Sequence, residues 1–134
     1  DDPTPVFKQR GNLPWPVAGR ILRGFGSLRE GDLRYEGVVL EASEGSAVHS
    51  VHNGRVVFSD WLRGYGMLII VDHGNGFMSL YGNNQSLAHK PGDTVSEGDV
   101  LAYSGNSGQN TEGVYFEIRK GGQPVNPQEW CARR

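Results

Sequence analysis

Short runs of β-prone residues separated by glycine turns are the feature that most constrains the fold of this chain. Residues 54–61 (GRVVFSDW) and 67–73 (MLIIVDH) are rich in β-branched residues, and residues 76–82 (GFMSLYG) follow across Asn75-Gly76. Asn-Gly pairs adopt the positive φ angles of tight hairpin turns. Because no segment shows a sustained helical period, the pattern predicts an all-β fold, a hairpin-rich sandwich or barrel-like pair of sheets with little or no helix.

A later segment, residues 113–120 (GVYFEIRK), alternates its side chains with the two-residue period of a strand. The two faces consist of Val114, Phe116 and Ile118 on one side, and Tyr115, Glu117 and Arg119 on the other. The alternation therefore predicts that the tyrosine, the glutamate and the arginine share one face of a sheet.

The length and composition suit a single domain. With 134 residues and 37% hydrophobic content, the chain is long enough to bury a core. Four prolines fall within residues 1–16, and little pattern accompanies them. We therefore expect an extended lead-in over residues 1–13 and a folded domain over residues 14–134, with Trp15 as an anchor into the fold.

Charge and cysteine content exclude several classes of protein. The net charge of -2 argues against a nucleic-acid surface, because duplex binding requires a basic face that neutralises phosphates. No apolar run approaches the ~20 residues that a membrane-spanning helix needs. Cys131 is the only cysteine, so it cannot form an internal disulfide, and its position near the end of the sequence is a poor one for a nucleophile.

The histidines do not show the spacing of a metal site. His49 and His52 are three residues apart, which places them on opposite faces of a strand, whereas His73 falls in a turn and His89 in a loop. Surface or turn roles are therefore favoured, and we expect no cofactor. A zinc site with His49, His52 or His73 as unorthodox ligands stays open as an alternative.

Five phrases of the sequence, in order, resemble the lysostaphin-type (LytM) zinc endopeptidases, which cut peptidoglycan peptides. They are WPVAGRILRGFG, RYEGVVLEASEGSAVHSVHNGRVVFS, GYGMLIIVDHGNGFMSLYG, PGDTVSEGDVLAYSGNSG and VYFEIRKGGQPVNPQEW. The resemblance covers about residues 14–130, and the order of the phrases is specific. It implies a LytM-type fold with two sheets and a central groove.

The same resemblance implies that the metal centre has been lost. Tyr35 and Val39 stand where active members carry a zinc-binding histidine and aspartate, and Gly113 and Tyr115 stand at the two positions of a His-x-His pair. Asn83 stands at a further catalytic histidine position. A catalytic zinc needs three N, S or O ligands and an open position for water, so these five substitutions imply a degenerate domain that binds no metal and is not an enzyme.

Within that family, the sequence is most similar to the EnvC-type murein hydrolase activators. This likeness implies a partner, a periplasmic N-acetylmuramoyl-L-alanine amidase, whose regulatory helix is gripped in the degenerate groove during septal peptidoglycan cleavage and daughter-cell separation. It also implies a periplasmic location at the division septum. A link to the FtsE–FtsX complex is expected through an upstream coiled coil, which the present sequence does not include.

The resemblance places a tyrosine and an arginine in the groove, and these correspond to Tyr115 and Arg119. The predicted groove residues are Glu36, Val39, Tyr65, Leu68, Tyr81, Tyr115 and Arg119. Removal of zinc ligands turns a polar cleft into an apolar, aromatic one, which suits an amphipathic helix. Core filling by Val39 and Tyr81, and a solvated charge at Arg119, stay open. So does a passive peptidoglycan-binding role for the whole domain.

Overall fold

The structure, a computed structural model, describes residues 5–108 and 112–134. Within these ranges the chain forms short antiparallel strands, a 3₁₀ helix over Val6–Gln9 and an α-helix, α1, over Pro127–Trp130. The strands are β1 (Ile21–Arg23), β2 (Leu28–Glu30), β3 (Leu33–Arg34), β4 (Val38–Leu40), β5 (Ala47–His49), β6 (Gly54–Leu62), β7 (Gly66–Gly74), β8 (Phe77–Leu87), β9 (Thr94–Val95), β10 (Val100–Ser104), β11 (Val114–Lys120) and β12 (Gln123–Val125). In the described part of the chain, no helix is long and apolar enough to cross a membrane.

The strands form one large sheet and one small one. The large sheet has the order β1-β4-β11-β8-β7-β6-β9, with β10 pairing β5 and β8, and β12 pairing β11. Strands β2 and β3 form a separate two-stranded hairpin. The prediction of an all-β, hairpin-rich fold with little helix is confirmed, and the two sheets differ greatly in size.

The long hairpin between β7 and β8 follows from its turn residues. Asn75 and Gly76 have φ angles of 54° and 81°, and Gly74 has a φ of 83°. Positive φ values are favourable at glycine and tolerated at asparagine, so the chain reverses at the position that the sequence predicts.

The alternation in β11 places its apolar side chains in the core. Val114 and Phe116 are fully buried, and Ile118 is nearly so. The Trp15 ring packs edge-on against Phe116, with 6.3 Å between centroids, and its Nε1 donates a hydrogen bond to the Ala132 carbonyl at 2.8 Å. Trp15 therefore anchors its segment to the fold as predicted.

The described part of the predicted lead-in is not an extended linker. Val6 and Leu13 are each 1% exposed and belong to the core. The backbone N–H groups of Gly11 and Leu13 donate to the Trp130 carbonyl at 2.9 and 3.1 Å. Because burial of these apolar side chains stabilises the fold, residues 5–13 pack as part of the domain despite Pro5.

Candidate functional site

A second buried layer lies on the face of the large sheet opposite the core. In register, Val39 of β4 is beside Tyr115 of β11, and Tyr115 is beside Gly82 of β8. Val39, Leu68, Leu80 and Tyr115 are all buried, yet they do not belong to the central core cluster. We call the side of the sheet that carries Val39, Tyr115, Glu117 and Arg119 the groove face.

Two glycines let other parts of the chain lie close to this face. A Cβ atom at Gly37 would lie 2.3 Å from the Phe116 carbonyl oxygen and 2.7 Å from Glu117 Cγ. A Cβ atom at Gly82 would lie 3.0 Å from the Tyr65 carbonyl oxygen. Glycine is therefore required at Gly37, and at Gly82 its missing Cβ leaves room for the Tyr65 backbone above the sheet.

A cluster of four polar side chains occupies the groove face, and Glu117 is its centre. Glu117 is fully buried. Its Oε2 accepts hydrogen bonds from the Tyr115 hydroxyl at 2.5 Å and the Tyr65 hydroxyl at 3.3 Å. Its Oε1 accepts from Arg119 Nε at 2.7 Å, and Arg119 Nη2 donates to the Tyr65 hydroxyl at 3.2 Å.

The two tyrosines of this cluster are held in their neutral form. Burial, and then the neighbouring Glu117 carboxylate, raise the pKa of Tyr115 far above its ordinary value. The same two causes raise the pKa of Tyr65. The pKa of Arg119 is raised. Partial burial alone would lower this pKa, but the hydrogen bond to Glu117 and the negative charge of Glu117 have the larger combined effect. At neutral pH both tyrosine hydroxyls therefore keep the protons that they donate to Glu117, and Arg119 stays cationic.

Exposure divides the predicted groove residues into a floor and a rim. Val39 and Tyr115 are each 3% exposed and form the floor, with the Tyr65 ring 5.7 Å from the Tyr115 ring. The Arg119 side chain is 28% exposed and the Glu36 side chain 62%, with 3.9 Å between Arg119 Nη2 and Glu36 Oε1. A partner would meet the rim residues first.

The β2–β3 hairpin forms a cavity beside the rim. This cavity has a volume of about 540 Å³ and is lined by Phe25, Gly26, Arg29, Asp32, Leu33, Arg34, Tyr35, Glu36 and Pro124. The Arg29 guanidinium lies over the Tyr35 ring, 5.3 Å from its centroid. Leu28 and Leu33 of the same hairpin are about 60% exposed. One wall beside Tyr35 therefore carries exposed apolar side chains.

Asn83 ties together the loop next to the floor. It has a φ of 68° and is buried. Its Nδ2 donates to the carbonyls of Gly105 and Gly113 at 3.2 and 3.0 Å, and its Oδ1 accepts from the Gly108 N–H at 2.8 Å. Its own N–H donates to the Tyr65 carbonyl at 2.8 Å. A position that the resemblance assigns to catalysis is thus occupied by a side chain that organises the backbone.

Two of the predicted groove residues need correction. Tyr81 lies on the core face of the sheet, opposite Phe116 in register and 5.4 Å from its ring, and it is fully buried. The prediction that Tyr81 lines the groove is wrong, because strand alternation directs it away from Tyr115. Leu68 is on the groove side but is fully buried, so it offers no surface to a partner.

The histidines are held by hydrogen bonds within the fold. His73 Nδ1 lies 2.8 Å from the Asn53 carbonyl, and Nε2 lies 2.7 Å from Ser79 Oγ. His49 Nδ1 lies 3.2 Å from the Pro16 carbonyl. Over residues 5–108 and 112–134, no three His, Cys, Asp or Glu side chains gather closely enough to hold a metal ion.

Comparison with models of known protein families shows the family of this chain. Residues 34–127 match the model of peptidase family M23. The chain belongs to peptidase family M23. The match includes Val39, Tyr115 and Asn83, so the groove face lies within the family's domain.

Characterised relatives of this M23 domain include activators. The chain is 48% identical over 125 residues to the murein hydrolase activator EnvC of Escherichia coli K12, covering 92% of this chain and 30% of the relative. It is 33% identical over 132 residues to the murein hydrolase activator NlpD of the same organism, covering 98% of this chain and 33% of that relative. The chain thus spans about a third of the length of these relatives.

Solved structures agree with the M23 fold. A zinc-containing peptidase from Vibrio cholerae superposes with a TM-score of 0.83 at 19% identity, covering 92% of this chain and 41% of that one. At this identity the likeness concerns the fold alone. It supports the LytM-type architecture that the sequence predicts.

The residue that sequence reasoning did not select is Glu117. The alternation of β11 places it between Tyr115 and Arg119 on one face, which was the available signal. A glutamate within an otherwise buried strand has to be paired, because an isolated buried charge is strongly unfavourable. Its third donor, the Tyr65 hydroxyl, could not be read from the sequence, because Tyr65 comes from a distant hairpin.

Proposed function

We propose that this M23 domain is a non-catalytic activator of a peptidoglycan hydrolase, and specifically of a periplasmic N-acetylmuramoyl-L-alanine amidase. The observation that supports the proposal is that Tyr35, Val39 and Tyr115 occupy the positions that the resemblance assigns to the family's metal ligands. Val39 and Tyr115 are neighbours in strand register and are buried on the groove face. Valine offers no ligand atom, and Tyr115 is held neutral by its surroundings.

The names of the relatives support an activating role. Both EnvC and NlpD are described as murein hydrolase activators. In this proposal the protein acts in the periplasm at the division septum, where amidase activity separates daughter cells. A longer form of the protein connects to the FtsE–FtsX complex through an upstream coiled coil.

The groove face suits an amphipathic helix, and we assign that role to the regulatory helix of the amidase. Helices bind grooves through apolar anchors at i, i+3, i+4 and i+7. The rim supplies Arg119, whose Nη2 donates to the Tyr65 hydroxyl, and tyrosine and arginine are among the residue types that most often dominate interface energetics. Binding draws the helix away from the amidase active site, and hydrolysis follows.

The proposal is tested by amidase activity on purified sacculi with increasing amounts of this domain. We expect stimulation, and we expect Arg119→Ala to raise the half-saturating concentration by about 30-fold, which corresponds to the ~2 kcal/mol of an interface hot spot. Tyr65→Ala and Tyr115→Ala should also weaken stimulation. Arg55→Ala and Tyr103→Ala are matched controls, because these residues are exposed on β6 and β10.

Other outcomes separate the competing functions. If Tyr115→Ala and Arg119→Ala both leave stimulation unchanged, the groove assignment is wrong. Tight stoichiometric zinc, together with sacculus digestion by the domain alone, would instead indicate an endopeptidase with unorthodox ligands. Co-sedimentation with sacculi without stimulation would indicate a passive peptidoglycan-binding module.

A further inference from the structure

Glu117 is a fully buried carboxyl group in the middle of the groove face. Burial of a carboxylate is strongly unfavourable unless hydrogen bonds and an opposite charge compensate it. Such a group is more than apolar filling, because a hydrophobic side chain of similar volume would avoid this penalty. This penalty indicates that Glu117 has a role in arranging the side chains around it.

The neighbours of Glu117 come from two separate elements. Tyr115 and Arg119 are two residues away on either side in β11, so strand alternation places them on the same face. Tyr65 comes from the β6–β7 turn, where Gly64 and Gly66 both have positive φ angles. The single carboxyl group bonds to all three, so it joins the strand to the turn.

The arrangement also fixes the direction of Arg119. Its Nε is directed at Glu117 Oε1 and its Nη2 at the Tyr65 hydroxyl. Two contacts on one planar guanidinium define its orientation as well as its position. The remainder of the side chain reaches solvent at the rim.

We propose that Glu117 is the positioning residue of this groove, holding Arg119 and the Tyr65 hydroxyl in the geometry that a partner recognises, with Tyr115 buried on the floor beside them. This inference rests on the proposed function, since it concerns the same groove. The carboxylate acts as the central charge around which the groove side chains are ordered. Preorganisation of this kind raises affinity, because fewer side chains have to be ordered on binding.

The first experiment measures orientation without any partner. In the ¹⁵N spectrum of the wild-type domain, we expect the Arg119 Nε–H signal to be shifted and protected from solvent exchange. In Glu117→Gln the side chain keeps one acceptor oxygen but loses its charge, so its hydrogen bond to Arg119 Nε is weakened and that signal should lose protection while the core backbone signals persist. An unchanged Arg119 signal in Glu117→Gln would overturn the proposal.

The second experiment measures amidase stimulation with the same variants. We expect Glu117→Gln to raise the half-saturating concentration by at least about 10-fold and to leave maximal stimulation unchanged, because the face still forms but is less ordered. In an Arg119→Met background the added effect of Glu117→Gln should shrink to less than about twofold, since the two residues act as one unit. If Glu117→Gln has the same effect in the Arg119→Met background as in the wild type, Glu117 does not act through Arg119.

Glu129→Gln is the matched control. Glu129 pairs with Arg10 at 2.9 Å, but both side chains are more than half exposed. Removal of this exposed carboxylate should leave stimulation and the Arg119 signal unchanged.

A further variant covers the case in which Glu117→Gln does not fold. Arg119→Lys keeps the charge but loses the planar pair of contacts, so we expect it to bind as poorly as Arg119→Met. Full binding by the lysine variant would overturn the proposal. If the wild-type domain fails to stimulate any amidase, the proposed function falls, and the Arg119 signal alone decides the role of Glu117.

Discussion

Protonation of His73 should destabilise the fold in mild acid, because its neutral form completes a buried chain of hydrogen bonds. The Asn53 carbonyl can only accept, so His73 Nδ1 carries the proton of the neutral ring. Nε2 then accepts from the Ser79 hydroxyl, which accepts from the Tyr81 hydroxyl, which accepts from the Val51 N–H at 3.1 Å. A proton on Nε2 would turn this nitrogen into a donor, so the Ser79 hydroxyl could no longer donate to it.

The magnitude follows from the shift in pKa. Burial, together with the neighbouring His52 ring 5.8 Å away, lowers the pKa of His73 from 6.5 to about 4, although the Asn53 hydrogen bond and Asp72 oppose the shift. The unfolded chain therefore binds the proton first as the pH falls. The contribution is complete above pH 6.5 and is lost as the pH falls through about 4, and it amounts to about 3 kcal/mol.

The assay is urea unfolding of the wild type and of His73→Asn at intervals from pH 7.5 to pH 4. Other groups titrate in both proteins, so the difference between their free energies of unfolding isolates His73. We expect this difference to shrink by about 3 kcal/mol across that range. His89→Asn is the control, because His89 pairs with Asp93 outside this network. A difference that stays constant with pH would refute the reasoning.

The remaining predictions concern local fit. Gly37→Ala should destabilise the domain by about 3 kcal/mol or more, because the added Cβ would lie 2.3 Å from the Phe116 carbonyl oxygen. Gly24→Ala is the control. A Cβ there would have nothing within 4 Å, so the free energy of unfolding should change by less than about 0.5 kcal/mol. Thermal or urea unfolding checks both. Tyr81→Phe should lower stability by about 1–3 kcal/mol, because it removes the acceptor of the buried Val51 N–H. It should leave amidase stimulation unchanged, and a loss of stimulation in a folded variant would contradict the assignment of Tyr81 to the core.

The strands and the main hairpin could be predicted because their signals are local. Asn75-Gly76 determines a turn through backbone angles that few other pairs adopt, and the alternation of β11 determines which side chains share a face. The packing of residues 5–13 could not be predicted in this way. Val6 and Leu13 are buried against distant parts of the chain, and prolines alone suggest a linker.

The sequence could predict most of the residues that form the candidate site, but not how far each of them is buried. Motif positions indicate that Val39 and Tyr115 lie together, and the strand register pairs them. Exposure is a tertiary property, so the sequence could not show that Tyr115 is covered by Tyr65. The assignment of Tyr81 to the groove was wrong because the sequence does not give the strand register, which places Tyr81 opposite Phe116.

Asn83 has a consequence for how the domain could change over time. Its side chain holds three backbone groups of one loop, at Gly105, Gly108 and Gly113. A histidine there has one donor and one acceptor when neutral, and it could not replace all three bonds. Substitution of Asn83 by histidine would therefore loosen the backbone at Gly105, Gly108 and Gly113. In this sense, the position that the resemblance assigns to a catalytic histidine is part of the scaffold.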